Sequence, residues 1–148
     1  MIIMENDAKA SFSLNLYGIK EDLLLIYEKD WFMMQIKMMV QLVTKLFLGK
    51  DTDPYKIADE EHLSEADMLY RDLKALTAEG KINEAENLLF ESIVPNQEDF
   101  LTVALDFYAS LNLLSDEELE AHDFSREEIK SGLEDAIEAC GYNLPAIL

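Results

Sequence analysis

The side chains that most often carry catalysis or bind metals are few in this chain of 148 residues. Its two histidines, His62 and His122, lie in acidic segments, and neither has a second His or a Cys at the spacing of a zinc site. We therefore expect both to be solvated surface residues. The single cysteine, Cys140, lies on the apolar side of a predicted helix, which favours a buried thiol over a nucleophile.

Carboxylates are abundant, but no feature of the sequence predicts that any of them is buried in a site. Pairs such as Glu117 and Glu118 are typical of a solvated helix surface. Helical bundles that bind two metals use Glu-x-x-His motifs, and this sequence has none. A glycine-rich phosphate loop is also absent from the sequence. The sequence thus predicts no catalytic residue, no metal, no cofactor and no small-molecule ligand, with an enzyme that uses acidic side chains as an alternative.

The charge is distributed unevenly along the chain, whose net charge is −19. Residues 1–50 hold six acidic and six basic side chains, whereas residues 51–148 hold 25 acidic and six basic ones. Nucleic-acid binding depends on Lys and Arg that replace counterions, so a surface this acidic predicts no nucleic-acid partner. Anionic membranes are disfavoured for the same reason, with the first fifty residues as the exception. The acidity is explained by a solvated helix surface, and a basic protein partner is the other interpretation.

Repeated start and stop signals predict an all-α chain. Five cap residues each precede a carboxylate by three positions, as the first turn of a helix favours: Ser64, Asn83, Asn96, Ser115 and Ser125. Gly49, Gly80 and Gly141 each follow an apolar helical run, where a left-handed cap ends a helix. These signals predict helices over about 30–48, 65–79, 83–94, 97–112, 116–122 and 126–140. No stretch alternates with the period of a strand.

The segment from Leu69 to Pro95 predicts an antiparallel helical hairpin of the tetratricopeptide kind. Gly80 and Ala85 have the spacing of the turn and the close helix approach in such a repeat. An offset of 34 residues, the period of these repeats, aligns this segment with a second copy. That copy carries Leu114 and Leu119 where the glycine and the small residue belong. We therefore predict tetratricopeptide-like hairpins, and exposed aromatics such as Tyr70 or Tyr108 if they form a concave binding face.

The helix over 30–48 is apolar around most of its circumference, so one neighbouring helix cannot cover it. It is either the centre of the bundle, a seam with a second copy or partner, or a membrane-surface helix. Its methionines suit a soft core or an adaptable binding surface. The candidates for an interaction or core seam are Trp31, Met34, Met38, Leu42 and Phe47.

Three blocks, at residues 27–36, 46–51 and 80–90, carry a resemblance to a known family. The chain resembles an uncharacterised family of small acidic all-helical proteins from Gram-positive bacteria, classed as a domain of unknown function. The resemblance covers about residues 28–140 and implies a fold and a lineage, but no reaction, ligand or catalytic residue. Members usually begin near the equivalent of Tyr27, so residues 1–27 are an extension or a misplaced start.

These observations predict antiparallel helical hairpins packed on a long, mostly apolar N-terminal helix. We expect a weakly structured extension over residues 1–27, one helical domain over residues 28–148, and a docked apolar tail that ends at Leu148. No secretory signal or membrane span is predicted, and the single cysteine fits a cytoplasmic protein. The expected role is a non-enzymatic interaction or adaptor module that binds a protein partner or itself. A homodimeric structural protein that uses the helix at 30–48 is the alternative.

Overall fold

The computed structural model describes residues 27–49 and 54–144, and in these ranges the regular secondary structure is entirely helical. The chain divides into two units, residues 1–32 and residues 33–148. The predicted extension lies almost wholly outside the described residues, as do residues 145–148 of the predicted tail. The predicted domain boundary at residues 27 and 28 stays a prediction. No helix in the described ranges is long and apolar enough to cross a membrane.

Six helical segments follow one another in the described chain. The first, α1, is α-helical over residues 27–43 and continues as a π-helical turn over Thr44–Leu48. The others are α2 (Glu65–Ala78), α3 (Ile82–Ser92), α4 (Glu98–Asn112), α5 (Asp116–Ala121) and α6 (Arg126–Ala139). The bounds of α2 to α6 lie within two residues of those that the sequence predicts.

Serine caps begin three of the helices, as the sequence predicts. The hydroxyls of Ser64, Ser115 and Ser125 accept from the backbone N–H three residues later, and Ser64 and Ser125 form complete capping boxes. The predictions for Asn83 and Asn96 are wrong. Helix α3 begins at Ile82, after Lys81, so Asn83 lies inside its first turn, and the Asn83 side-chain N–H donates to the Asp123 carbonyl. Asn96 lies in the left-handed region, at φ 64°, and α4 begins after Gln97 without a side-chain cap.

The predicted glycine stops are confirmed. Gly49, Gly80 and Gly141 have φ values of 66°, 78° and 91°, which a residue with a side chain rarely adopts. Gly80 is required for a second reason, since a Cβ there would also overlap the His122 ring. The turn between α2 and α3 therefore packs closely against the turn that follows α5.

The helices pair as two hairpins, α2 with α3 and α4 with α6. In the second hairpin Asn96, before α4, donates its backbone N–H to the Cys140 carbonyl, and Arg126, at the start of α6, bonds Asn112 at the end of α4. These contacts make α4 and α6 antiparallel. The short helix α5 is inserted between them and buries Leu119 in the core. Leu119, which the 34-residue offset places where a repeat needs a small residue, is thus part of the core, and Leu114 packs against it.

The core includes apolar residues from α1 to α6. The predicted apolar face of α6 is fully buried: Ile129, Leu133, Ala136, Ile137 and Cys140. At the centre, Tyr108 of α4 donates its hydroxyl to Glu86 Oε2 of α3 at 2.8 Å. Gly132 of α6 faces this pair, and a Cβ on Gly132 would lie 2.6 Å from the Tyr108 hydroxyl. The glycine thus permits the close approach of α3, α4 and α6.

A buried arginine closes the other end of the second hairpin. Arg126 Nη1 donates to the Asn112 carbonyl at 2.7 Å, and Nη2 donates to the Leu114 carbonyl at 2.5 Å. Its Nε donates to Asp116 Oδ1 at 3.0 Å. The guanidinium therefore satisfies carbonyls that the end of α4 leaves without helical partners. Asn112 in turn donates its side-chain N–H to the Met33 carbonyl of α1 at 3.1 Å, which fixes α1 to this end of the bundle.

Candidate interaction surface

One side of α1 is built into the core of the 33–148 unit. Ile36, Met39, Val40 and Val43 are all buried, at successive positions of one helical face. Thr44 is buried beside them, and its hydroxyl donates to the Val40 carbonyl at 2.7 Å. This bond satisfies the one polar group that the helix buries at its π-helical turn. Since this side alone meets the core, the rest of the circumference needs a separate explanation.

The opposite side of α1 exposes large apolar side chains. Met34, Met38 and Leu46 are 54%, 47% and 55% exposed, and Leu42 between them is half-buried. These four residues recur every four positions, so they form a line along the helix. The line is roughly 18 Å long at 1.5 Å per residue. We name these four residues the apolar stripe.

The structure separates the five seam candidates. Met34, Met38 and Leu42 lie together on the apolar stripe. Phe47 lies on the core side, where its ring packs 4.9 Å from that of Tyr142. Trp31 belongs to the 1–32 unit, is 48% exposed, and contacts the Phe32 ring edge-on at 4.9 Å.

Sequence reasoning missed Leu46 as a member of the exposed line. Its spacing of four residues from Leu42 was a signal for it, but an all-round apolar helix gives no means of telling which side the core will take. Only the structure shows that the core covers the side of α1 that carries Ile36 and Val43.

The apolar stripe has a charge environment of its own. Residues 31–49 contain no Asp or Glu, and the charged side chains in this range are Lys37 and Lys45, both exposed. The acidic residues of the chain are instead concentrated behind Lys50. The face of α1 that is free of core contacts is therefore an apolar line bordered by cations, on a strongly acidic protein.

A second concave feature lies between α2 and α4. The cavity measures about 300 Å³ and has apolar walls that include Leu73, Val103 and Phe107. Lys74 and Asp106 are among its polar residues, and Lys74 Nζ lies 5.3 Å from the centre of the Tyr70 ring. Burial raises the pKa of Asp106, and the nearby Lys74 charge opposes that rise. One carboxylate oxygen of Asp106, Oδ2, is buried without a hydrogen-bond partner in the described structure.

Neither of the two tyrosines expected on a concave binding face is fully exposed to a partner. Tyr108 is fully buried and serves as the donor to Glu86, so the expectation that it is exposed is wrong. Tyr70 is half-buried, and its ring packs 5.0 Å from that of Tyr55. Tyr55 donates its hydroxyl to Asp67 Oδ1 at 2.5 Å, which lowers the pKa of that carboxyl. These aromatics therefore hold the segment before α2 against the bundle.

The residues with catalytic chemistry are dispersed. In the described ranges no three His, Cys, Asp or Glu side chains are grouped so that they could hold a metal ion. His62 is exposed and contacts Asp59 through Nδ1 at 2.9 Å. Cys140 is fully buried, and burial raises the pKa of its thiol to about 11. At neutral pH this cysteine is protonated and shielded from solvent.

Comparison with known proteins identifies a family for this fold. A family model described as a family of unknown function (DUF6483) matches residues 26–141, and the chain belongs to that family. No curated protein matches the chain, and no solved structure does.

Proposed function

We propose that this member of a family of unknown function is a protein-interaction module that receives a partner on the apolar stripe. One observation carries the proposal: Met34, Met38 and Leu46 are each about half exposed, on the side of α1 opposite its core contacts. Apolar patches of this kind, rimmed by polar residues, mark protein interfaces. Methionine also suits a binding surface, because its flexible thioether adapts to the shape of a partner.

The two hairpins support this role because they hold α1 in a fixed position. The two hairpins are similar to those of tetratricopeptide repeats, which present helix faces to protein partners. Asn112, held by Arg126, bonds the Met33 carbonyl at the start of the stripe. A rigid support of this kind lowers the ordering cost that a binding surface would otherwise have when the partner docks.

We place this function in the cytoplasm of a Gram-positive bacterium. The resemblance of residues 27–36, 46–51 and 80–90 to small acidic proteins of such bacteria supports the lineage. A single buried cysteine, with no possibility of an intramolecular disulfide, is consistent with a reducing compartment.

The test compares two variants that each add one negative charge at an exposed side chain. Met38→Glu places the charge on the apolar stripe, and Asn87→Asp places it on α3. We expect proteins captured from native lysate by the wild type to be retained by Asn87→Asp and lost from Met38→Glu. Both variants should unfold cooperatively, whereas Val43→Glu, at a fully buried position on the core side of α1, should not.

The proposal fails if Met38→Glu captures the same proteins as the wild type while it remains folded. It also fails if the wild type captures nothing above an unrelated acidic control protein and does not associate with itself.

A further inference from the structure

We infer that the occupant of the apolar stripe is a second copy of this chain, bound antiparallel around a two-fold axis midway between Met38 and Leu42. This inference rests on the proposed function and specifies the partner. It starts from the charges around the stripe, because these restrict which partner can approach it.

A basic partner is poorly matched to this surface. Lys37 and Lys45 border the apolar stripe, and residues 31–49 offer no carboxylate with which a basic side chain could pair. A strongly acidic partner, a second copy included, is repelled by the net charge of −19 unless its acidic groups lie away from the contact. The partner that fits should therefore present an apolar surface with few acidic groups at the contact.

A second copy presents such a surface through its own stripe. Two copies that meet along α1 bring together two segments without Asp or Glu, so their acidic residues stay outside the direct helix contact. The lysines on each copy also add positive charge between two acidic bodies, which lowers their mutual repulsion. Contact through any of the acid-rich helices α2 to α6 would lack both advantages.

The spacing of the stripe is self-complementary. In an antiparallel pair of α1 helices, residues whose numbers sum to 80 lie opposite one another. Met38 then meets Leu42 of the partner subunit, and Met34 meets Leu46 of the partner subunit. The four apolar positions of each copy are thus all covered in one register, as an isologous two-fold interface requires.

The two acidic bodies give this dimer an unusual dependence on salt. Screening weakens the repulsion between bodies of like charge, while the apolar contact is little affected by moderate salt. Association should therefore strengthen as NaCl rises from about 0.01 M to about 0.1 M, where the Debye length falls from about 30 Å to about 10 Å. A complex held by charge complementarity would weaken over the same range.

The experiment is sedimentation equilibrium on the purified full chain at both salt concentrations. We expect the wild type and Asn87→Asp to form dimers whose dissociation constant is lower at the higher salt. Met38→Glu should dissociate about 30-fold more readily or worse, because it places a charge at the centre of the apolar contact in both copies. Met34→Glu, with a charge nearer the end of the stripe, is the second variant if Met38→Glu does not fold.

A wild type that stays monomeric at about 1 mM chain, the limit of a weak complex, overturns the inference. So does a dimer that Met38→Glu and Met34→Glu leave intact, or one that salt dissociates. A monomeric wild type that still captures other proteins through Met38 would leave the proposed function standing and remove only the second copy. Failure of both measurements would remove both.

Discussion

At the scale of single residues, Glu86 is the most informative side chain. It accepts the Tyr108 hydroxyl bond at the crossing of α3, α4 and α6. Burial raises the pKa of Glu86, the negative charges of Glu128 and Asp135 add to the rise, and the bond from Tyr108 opposes it. The folded protein therefore disfavours the ionised form of this carboxylate. The hydrogen bond to Tyr108 is thus formed at a buried site that destabilises the charged carboxylate.

Replacement of this carboxylate should stabilise the protein at neutral pH. Because the folded pKa of Glu86 lies above its unfolded value, its favourable contribution is present at low pH and is lost as the pH rises through the folded pKa. Glu86→Gln keeps an acceptor for Tyr108 and removes the charge. We expect a gain of about 1 kcal/mol in the free energy of unfolding at pH 7, which declines as the pH falls through the folded pKa and is absent below about pH 4, measured by urea unfolding.

The control for this prediction is Glu91→Gln, an exposed position on the same helix. Its effect should be small at every pH. If the two variants had the same pH profile, the buried position of Glu86 would not be the source of the effect.

At the scale of elements, the charged residues at the two ends of the helices follow one pattern. Each helix from α2 to α6 has an acidic residue in its first turn, and none has a basic residue in its last turn. Acidic groups favour the positive N-terminal end of a helix dipole and disfavour the negative C-terminal end. The first turns are therefore well matched to the dipole, while the last turns leave stability to be gained.

The same substitution at the two ends of α6 should have opposite effects. Glu127, in the first turn, and Glu138, in the last turn, are both exposed. Glu138→Lys should raise the free energy of unfolding by about 0.3–1 kcal/mol, and Glu127→Lys should lower it by a similar amount. Both variants change the net charge equally, so a common shift in thermal midpoint would indicate a general charge effect rather than the helix dipole.

The sequence predicted the helices well, because serine caps, glycine stops and apolar periodicity are local signals. It failed at the start of α3. Asn83 was expected to cap this helix, but the helix begins at Ile82 and Asn83 lies inside its first turn. The stripe could also be identified only in part. Which side of α1 becomes buried depends on tertiary packing that a sequence apolar all round does not specify.

At the scale of the whole molecule, Arg126 connects the helices more widely than any local signal suggested. From its position on α6 it bonds the Asn112 carbonyl at the end of α4, the Leu114 carbonyl just after α4, and the Asp116 carboxylate of α5. Through Asn112 the same cluster extends to the Met33 carbonyl of α1. A buried charge of this kind is stable only while its hydrogen-bond partners are in place.

Loss of this guanidinium should destabilise the whole 33–148 unit. Arg126→Met keeps much of the side-chain bulk and leaves the Asn112 and Leu114 carbonyls without their donor. We expect a loss of about 3–5 kcal/mol in the free energy of unfolding, measured by urea denaturation. Arg126→Lys should recover part of this loss, since an ammonium retains the charge but not the forked geometry.

Arg71→Met, at an exposed position on α2, is the matched control and should change stability by less than about 0.5 kcal/mol. A comparable loss in both variants would contradict the assigned role of Arg126.

The buried thiol at the end of α6 also makes this protein convenient for site-directed labelling. Maleimides attack the thiolate, and Cys140 is both inaccessible and protonated at neutral pH. A fluorophore or spin probe would therefore attach to a cysteine introduced on the surface and spare the native one. Distances between probes on separate molecules can then be measured without first removing a side chain on which the core depends.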